Sequence, residues 1–308
     1  MFSDKRILVT GGTGSIGSEI VRSLDKYNPV VIRVFSNDEN EMFNLKNELG
    51  NKNKRYIMGD IRDKECISQA LENIDIVFHC AALKHVPSCE YSAFEAVKTN
   101  ILGTQNLIEA SFYNNVKQVV NISTDKAVNP VNTMGATKLL AERLIRNANE
   151  GKGDKDTIFS TVRFGNVVSS RGSIVPLIKE QLRMGKPVTI TNLDMTRYMM
   201  RIQDAVSLIF KAAFMMKGGE VFILKMSVVR LGDLVDILVK DKSKIKIIGL
   251  RPGEKMHEEL MTEAEKAIAL EMDDVIIIPL FHSYYPCSHP YSLKEVEPIS
   301  KDDIRRLL

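Results

Sequence analysis

The chain has 308 residues, 44% hydrophobic and 26% charged, with a formal net charge of +3. This composition excludes an unfolded chain and supports a substantial core. The 42 basic residues are scattered among 39 acids, which gives no warrant for nucleic acid as a partner. No stretch approaches the roughly 20 apolar residues of a membrane span, and no apolar leader precedes the first strand. The expectation is a cytoplasmic protein without membrane insertion. Cys66, Cys80, Cys89 and Cys287 show no CxxC pair and no metal-ligand spacing, so reduced, mostly buried thiols and no metal are expected.

The first apolar run, RILVT, leads directly into GGTGSIGSEI. Gly11, Thr13, Gly14, Ser15, Ile16 and Gly17 then form a turn and the opening of a helix. Glycines allow a tight turn and close approach to a pyrophosphate, while helix N–H groups and dipole attract its charge. Strand before and helix after make this glycine triplet a dinucleotide signal.

The second run, VVIRVF, ends at Ser36, Asn37 and Asp38. Asp38 suits a free ribose 2′-hydroxyl, whereas Ser36 and Asn37 can donate to a 2′-phosphate, so the segment accommodates NADP or NAD. RYIM, the third run, is followed by Asp60 and Ile61, where an adenine amino group and ring face would lie. A solvated turn with Asp63 capping a helix is the competing reading. IDIVFHC, the fourth run, carries His79 as a core residue. Ala81 and Ala82 follow, small enough for close approach to a nicotinamide, and then Lys84 or His85 toward a substrate. His85 serves equally as a surface or interface histidine.

KQVVNIS, the fifth run, opens the stretch STDKAVNPVNTMGATK, Ser123 to Lys138. A helix follows, with Leu139, Leu140, Arg143 and Leu144 at helical spacing. TIFSTVRF is the sixth run. Strands alternating with helix-length segments predict an α/β fold, a Rossmann-type doubly wound parallel sheet. After Phe164 come loops and shorter elements, including DAVSLIFKAAFMM and VIIIPL. They predict a smaller C-terminal substrate-binding region at 166–308, after a dinucleotide-binding domain at 1–165, with strands able to return to the main sheet.

TGGTGSIG, CAALKHVPSCE, STDK, MGATK, RFGNVVSSRGS and RPGEKMHEEL together resemble the extended short-chain dehydrogenases. Among these the similarity is to the UDP-N-acetylglucosamine 4,6-dehydratases of capsule, flagellin and glycan biosynthesis. It runs from the N-terminus to about Lys255. The family's usual triad is a hydroxyl residue, a tyrosine and a lysine; here Thr124 and Lys138 match and Met134 replaces the tyrosine, as in one subgroup of these enzymes.

The resemblance implies a redox-neutral reaction on a tightly bound NADP or NAD. Hydride leaves C4 of the hexose, water is lost across C5 and C6, and the hydride returns to C6, giving a 4-keto-6-deoxy sugar nucleotide. Such chemistry needs an acid and a base side by side, and Asp125 and Lys126 supply the residue types. By resemblance Asp125 protonates the leaving hydroxyl and Lys126, at least partly neutral, takes the C5 proton. Lys138, four residues after Met134 and on the same helix face, would hold the nicotinamide ribose. Met134 forms an apolar wall. The proton on O4 passes to Thr124 with a water, or to Asp125 serving twice.

The resemblance also makes Asn166, Arg171, Arg197 and Arg251 candidates for a UDP diphosphate, since guanidinium groups match phosphate oxygens. Glu254 would lie near the uridine ribose. The implied substrate is a UDP-N-acetylhexosamine, with or without inversion at C5, and the implied assembly a homo-oligomer such as a hexamer. Two readings compete: a nucleotide-sugar 4-epimerase, which normally relies on the missing tyrosine, and a catalytically silent dinucleotide-binding protein.

Overall fold

The computed structural model describes residues 2–280, 285, 288–292 and 297–308; Cys287 lies outside them. The first half runs β1 (Arg6–Thr10), α1 (Ser15–Asp25), β2 (Val31–Ser36), α2 (Glu39–Leu49), β3 (Lys54–Met58), α3 (Lys64–Ala70), β4 (Ile76–His79), α4 (Val86–Tyr91), α5 (Ala93–Ala96), α6 (Gly103–Tyr113), β5 (Gln118–Thr124), α7 (Thr133–Glu150) and β6 (Ile158–Phe164). A π-helical stretch, Val97–Leu102, joins α5 to α6, and a 3-10 turn, Asp125–Ala127, follows β5. The second half adds β7 (Asn166–Val167), α8 (Ile174–Arg183), β8 (Val188–Ile190), β9 (Thr196–Met200), α9 (Ile202–Met215), β10 (Val221–Leu224), β11 (Ser227–Arg230), α10 (Leu231–Leu238), β12 (Ile245–Ile247), α11 (Glu263–Lys266), β13 (Leu270–Met272), β14 (Val275–Ile278), β15 (His289–Pro290) and α12 (Lys301–Leu307).

The fold is α/β, built on one large, mostly parallel sheet in the order β15-β13-β14-β10-β6-β5-β4-β1-β2-β3. Strands β1 to β6 and β10 pair in parallel, while β13, β14 and β15 close the other edge antiparallel. The order in which strands are added across the sheet reverses between β1 and β4, and ligands of such sheets bind at that switch point, beyond the carboxyl ends of the strands. Strands β10 and β13 to β15 therefore return to the main sheet from the second half. Separate from it are a three-stranded sheet, β11-β9-β7, and the pair β12-β8.

Burial on both faces explains the near-continuous apolar strands. Ile7 and Val9 of β1 pack toward α1 and α9, whereas Leu8 packs with Ile67, Leu107 and Ile145 on the opposite face. In α1, buried Gly17, Ile20, Val21 and Leu24 recur at helical spacing.

Helix α7 departs from the pattern expected of it. Its buried face runs Met134, Thr137, Lys138, Ala141, Glu142, Ile145 and Ala148, while Leu140 is 46% exposed. The apolar spacing of Leu139, Leu140 and Leu144 thus misplaces the core face. The face that packs on the sheet carries a lysine and a glutamate because Arg163, fully buried on β6, pairs with Glu142 at 2.6 Å and with Glu265 at 2.9 Å.

Candidate active site

The glycine turn is held by backbone geometry. Gly11 has φ +60°, and a Cβ there would stand 2.8 Å from the Ala81 nitrogen; a Cβ on Gly17 would stand 2.3 Å from the Gly11 carbonyl oxygen. Both positions exclude side chains on steric grounds. Helix α1 begins at Gly14 with no side-chain cap, leaving its first N–H groups for an anion. The residues present therefore fit a dinucleotide pyrophosphate.

Side chains around this turn are already paired. Thr13 and Ser36 share a buried hydrogen bond of 2.7 Å, and Ser36 also accepts from the Asp38 nitrogen. Asp38 caps α2 through the Glu41 nitrogen. Asn37 donates to Asp60 at 3.3 Å, and Arg62 grips Asp60 at 2.6 Å, which holds that carboxyl below its usual range. Ile61 is buried against Gly103. Asp60 and Ile61 thus sit in a paired turn and in the core rather than along the cleft.

A cleft of about 620 Å³ runs from this turn to the end of β5, lined by Gly11, Gly14, Ser15, Ile16, Gly17, Asp38, Ala82, Lys84, Thr124, Lys126, Met134, Lys138, Asn166 and Arg171, among others. The structure brings these sequence-derived candidates together. Ala81 stands behind the wall, its nitrogen donating to Thr10 Oγ1 at 3.3 Å. His79, on β4, is bonded on both ring nitrogens, to Thr10 at 2.8 Å and Thr104 at 3.1 Å. Burial pushes its imidazole down to about 3, so it is a neutral core histidine.

Asn100 is a brace of the cleft wall that the sequence reading misses. Wholly buried in the π-helical stretch, it accepts from the Leu83 nitrogen at 2.8 Å, donates to the Leu83 carbonyl at 3.0 Å and bonds Thr137 at 3.0 Å. It thereby ties the Ala82–Lys84 wall to α7. Nothing in the run VKTNIL distinguishes it, because the π geometry that aims it inward has no apolar period of its own.

At the acid–base end, Thr124 donates to Asp125 Oδ1 at 2.9 Å and Lys126 Nζ donates to the same oxygen at 2.9 Å. Asp125 is fully buried, and its Oδ2 has no hydrogen-bond partner. Glu258, also buried, places Oε1 3.6 Å from Lys126 Nζ and leaves Oε2 unpartnered. Burial by itself would lower the Lys126 amine, but Asp125 and Glu258 outweigh it and raise it. Lys126 is therefore held as an ammonium, whereas the sequence reading expects it partly neutral. The neighbouring Asp125 is the larger cause, and Glu258, which comes from a distant loop, adds to it.

Lys138 donates to the Ile122 carbonyl at 2.6 Å, and burial lowers its amine to about 8. Met134, 3% exposed, packs on Cys89, Ala96 and Val86 and shows one side to the cleft.

The arginines divide. Arg171 straps the glycine turn: its nitrogen donates to Ser15 Oγ at 3.0 Å, and its side chain reaches the Thr13 carbonyl at 2.5 Å and Glu41 at 2.9 Å. Lys84 donates to the Arg171 carbonyl at 2.8 Å. Buried Arg197 donates to the carbonyls of Thr196, Lys255 and Met256. Arg251 is exposed, and its backbone nitrogen donates to Glu254 at 3.3 Å. Asn166 lines the cleft with Oδ1 buried and unpartnered. The four diphosphate candidates therefore do not form one cluster.

Asn132 joins the second-half loop to α7, capping the helix at the Gly135 nitrogen (2.7 Å) while donating to the Gly253 carbonyl (2.8 Å). Among the described residues no group of three or more His, Cys, Asp or Glu is arranged to hold a metal, and no helix is long and apolar enough to cross a membrane.

Residues 7–280 match the family described as polysaccharide biosynthesis protein. An uncharacterized membrane protein of Methanocaldococcus jannaschii is 50% identical, over 100% of this chain and 96% of its own. A UDP-N-acetylglucosamine 4,6-dehydratase (inverting) of Campylobacter jejuni is 42% identical over 96% of this chain and 86% of its own. A UDP-glucose 4-epimerase of Rickettsia canadensis is 38% identical over 91% and 84%. Among solved structures, Pen from Bacillus thuringiensis superposes with a TM-score of 0.96 at 46% identity, covering 100% of this chain and 98% of that one. MoeE5 in complex with UDP-glucose and NAD gives 0.71 at 26% identity, covering 85% and 91%.

Proposed function

Because the chain belongs to the polysaccharide biosynthesis protein family, we propose that it is a UDP-N-acetylglucosamine 4,6-dehydratase. At the coarser level it is a nicotinamide-dependent enzyme of nucleotide-sugar conversion, of the extended short-chain dehydrogenase type. The finer reading rests on one observation: a buried Asp125 hydrogen-bonded to Lys126 at 2.9 Å, with one carboxylate oxygen unpartnered at the end of the cleft strand. A 4-epimerase reacts only at C4 and does not need a second proton-transfer group for C5 and C6.

A bound nicotinamide would supply the hydride acceptor and donor for such a reaction. The chain's residues handle the protons. Thr124 already gives its hydrogen to Asp125, so its lone pairs are available to accept the hydrogen on O4. The O4 proton then moves through Thr124 to Asp125, replacing the tyrosinate that Met134 removes. Asp125, so protonated, gives that proton to the departing C6 hydroxyl as Lys126 takes the one on C5. Lys138, with its lowered amine, would hold the cofactor ribose, and Met134 would exclude water beside it.

Gly11, Gly14, Ser15, Ile16 and Gly17 would hold the pyrophosphate. Either NADP or NAD would fit: Asp38, which lines the cleft, suits a free ribose 2′-hydroxyl, whereas Arg62 would meet a 2′-phosphate on leaving Asp60 and Glu95. Asn166 and Arg251 remain for the sugar nucleotide. The relative named for inversion supports that course at C5.

The test is incubation of the purified protein with UDP-N-acetylglucosamine, without cofactor and then with NAD or NADP, followed by mass spectrometry and NMR. Loss of one water with a 4-keto-6-methyl signature is expected, and the C5 couplings report inversion. An unchanged mass with a new C4 epimer would select the epimerase. Dinucleotide binding without turnover would select the silent protein.

A further inference from the structure

We propose that Glu258 is a positioning residue that takes the ammonium proton of Lys126 and so frees Lys126 to act as the base at C5. This rests on the dehydratase reading. The reaction needs Asp125 protonated and Lys126 neutral at the same moment, yet in the resting site Lys126 is a cation between two carboxylates. Asp125 is the nearer acceptor, but the O4 proton occupies it. A second acceptor is required, and Glu258 Oε1 lies 3.6 Å from Lys126 Nζ while Glu258 Oε2 is buried without a partner. A buried, half-satisfied carboxylate is costly unless it has a use.

The segment carrying Glu258 is pinned rather than floating. Arg197 holds the Lys255 and Met256 carbonyls, and the Thr196 nitrogen donates to the Met256 carbonyl at 3.1 Å. Thr196 also bonds His257 at 2.8 Å, and Lys255 donates to the Val128 carbonyl, two residues beyond Lys126, at 2.7 Å. Arg197, expected from sequence to meet a diphosphate, spends these donors on bringing Glu258 to the site.

The transfer breaks an N–H bond of Lys126 and forms an O–H bond on Glu258, with no net change in cluster charge. Protonation of Asp125 first removes one of the two anions that hold the ammonium, which favours the step. Lys126 then takes the C5 proton. Reprotonation of C5 removes one proton from the cluster, directly or by exchange with water, and restores one ammonium between two carboxylates.

The charged groups around Lys126 are Asp125, Glu258 and Arg197, so removing Glu258 alone has a signature. In the ligand-free protein, the pH dependence of Lys126 acylation, resolved by peptide mass spectrometry, should shift to lower pH in Glu258→Gln and return toward the original in Glu258→Asp. In turnover, Glu258→Gln should lose roughly 100-fold in kcat with KM little changed, and Glu258→Asp should recover part of it. Unchanged Lys126 acylation in Glu258→Gln, or no rescue by the aspartate, overturns the proposal. Should the glutamine variant not fold, Glu258→Asp still tests it: the longer gap must lower kcat more than KM changes. Water loss by the unaltered protein together with a fully active Glu258→Gln overturns this proposal alone, whereas absence of water loss overturns the dehydratase reading and the C5 step with it.

Discussion

The two ends of the cleft treat polar atoms in opposite ways. Around the glycine turn nearly every side chain is paired: Thr13 with Ser36, Asp60 with Arg62, Arg171 with Thr13 and Glu41. What remains for a ligand is backbone. Around β5 and the 253–258 segment, by contrast, Asp125, Glu258 and Asn166 each keep a buried oxygen without a partner. A recognition site built from N–H groups needs a rigid, satisfied scaffold, whereas a proton-transfer site needs groups whose bonds change during the reaction.

The largest expected effect falls at the unsatisfied end. Asp125→Asn should lower kcat about 1000-fold, measured as water release, while dinucleotide affinity by fluorescence titration stays unchanged. Equal losses in both measurements would erase the division between the ends.

At the other end, Gly17→Ala forces a methyl against the Gly11 carbonyl. It should cost about 1–3 kcal/mol of stability, read by urea unfolding, and should weaken dinucleotide binding. Wild-type stability with normal binding would show that the turn is not rigid.

Between the two ends, His79 supports β4 as a neutral residue. Its folded value of about 3 lies below its ordinary 6.5, so the unfolded chain binds the proton more readily. Stability is present in full above pH 6.5 and should fall by about 1.4 kcal/mol per pH unit as pH drops from there toward 3. His79→Gln should flatten this share of the pH dependence in urea titrations; an unaltered slope would place the acid sensitivity elsewhere.

The smallest effect belongs to the strap. Arg171→Ala should raise the dinucleotide dissociation rate roughly fivefold, about 1 kcal/mol for an exposed ion pair and one carbonyl bond. The sharpening observation is that kcat stays put, since the strap touches only the satisfied end.

Both halves of this comparison were partly legible from residues. The parallel sheet follows from six apolar runs separated by helix-length segments, and the turn follows from Gly11, Gly14 and Gly17 directly after β1. Asp125, Lys126 and Lys138 are singled out by the resemblance of STDK and MGATK to a known family, since alone they read as a surface turn and a solvated helix charge. Helix α7 shows where the apolar period fails to mark the buried face. Leu139, Leu140 and Leu144 have the spacing of a core stripe, yet Lys138 and Glu142 are the ones buried, since their partners lie on other elements.

By itself the sequence determined what is local: strand and helix periods, glycine positions where a Cβ cannot fit, and the residue types able to exchange protons at the end of β5. Tertiary structure alone decided what depends on distance across the chain. It set Glu258 against Lys126 at a separation of more than 100 residues, sent Arg171 to the cofactor turn and turned Arg197 into a clamp. Electrostatic interaction and hydrogen bonding fall off over a few ångströms of space, and sequence order carries no record of those distances.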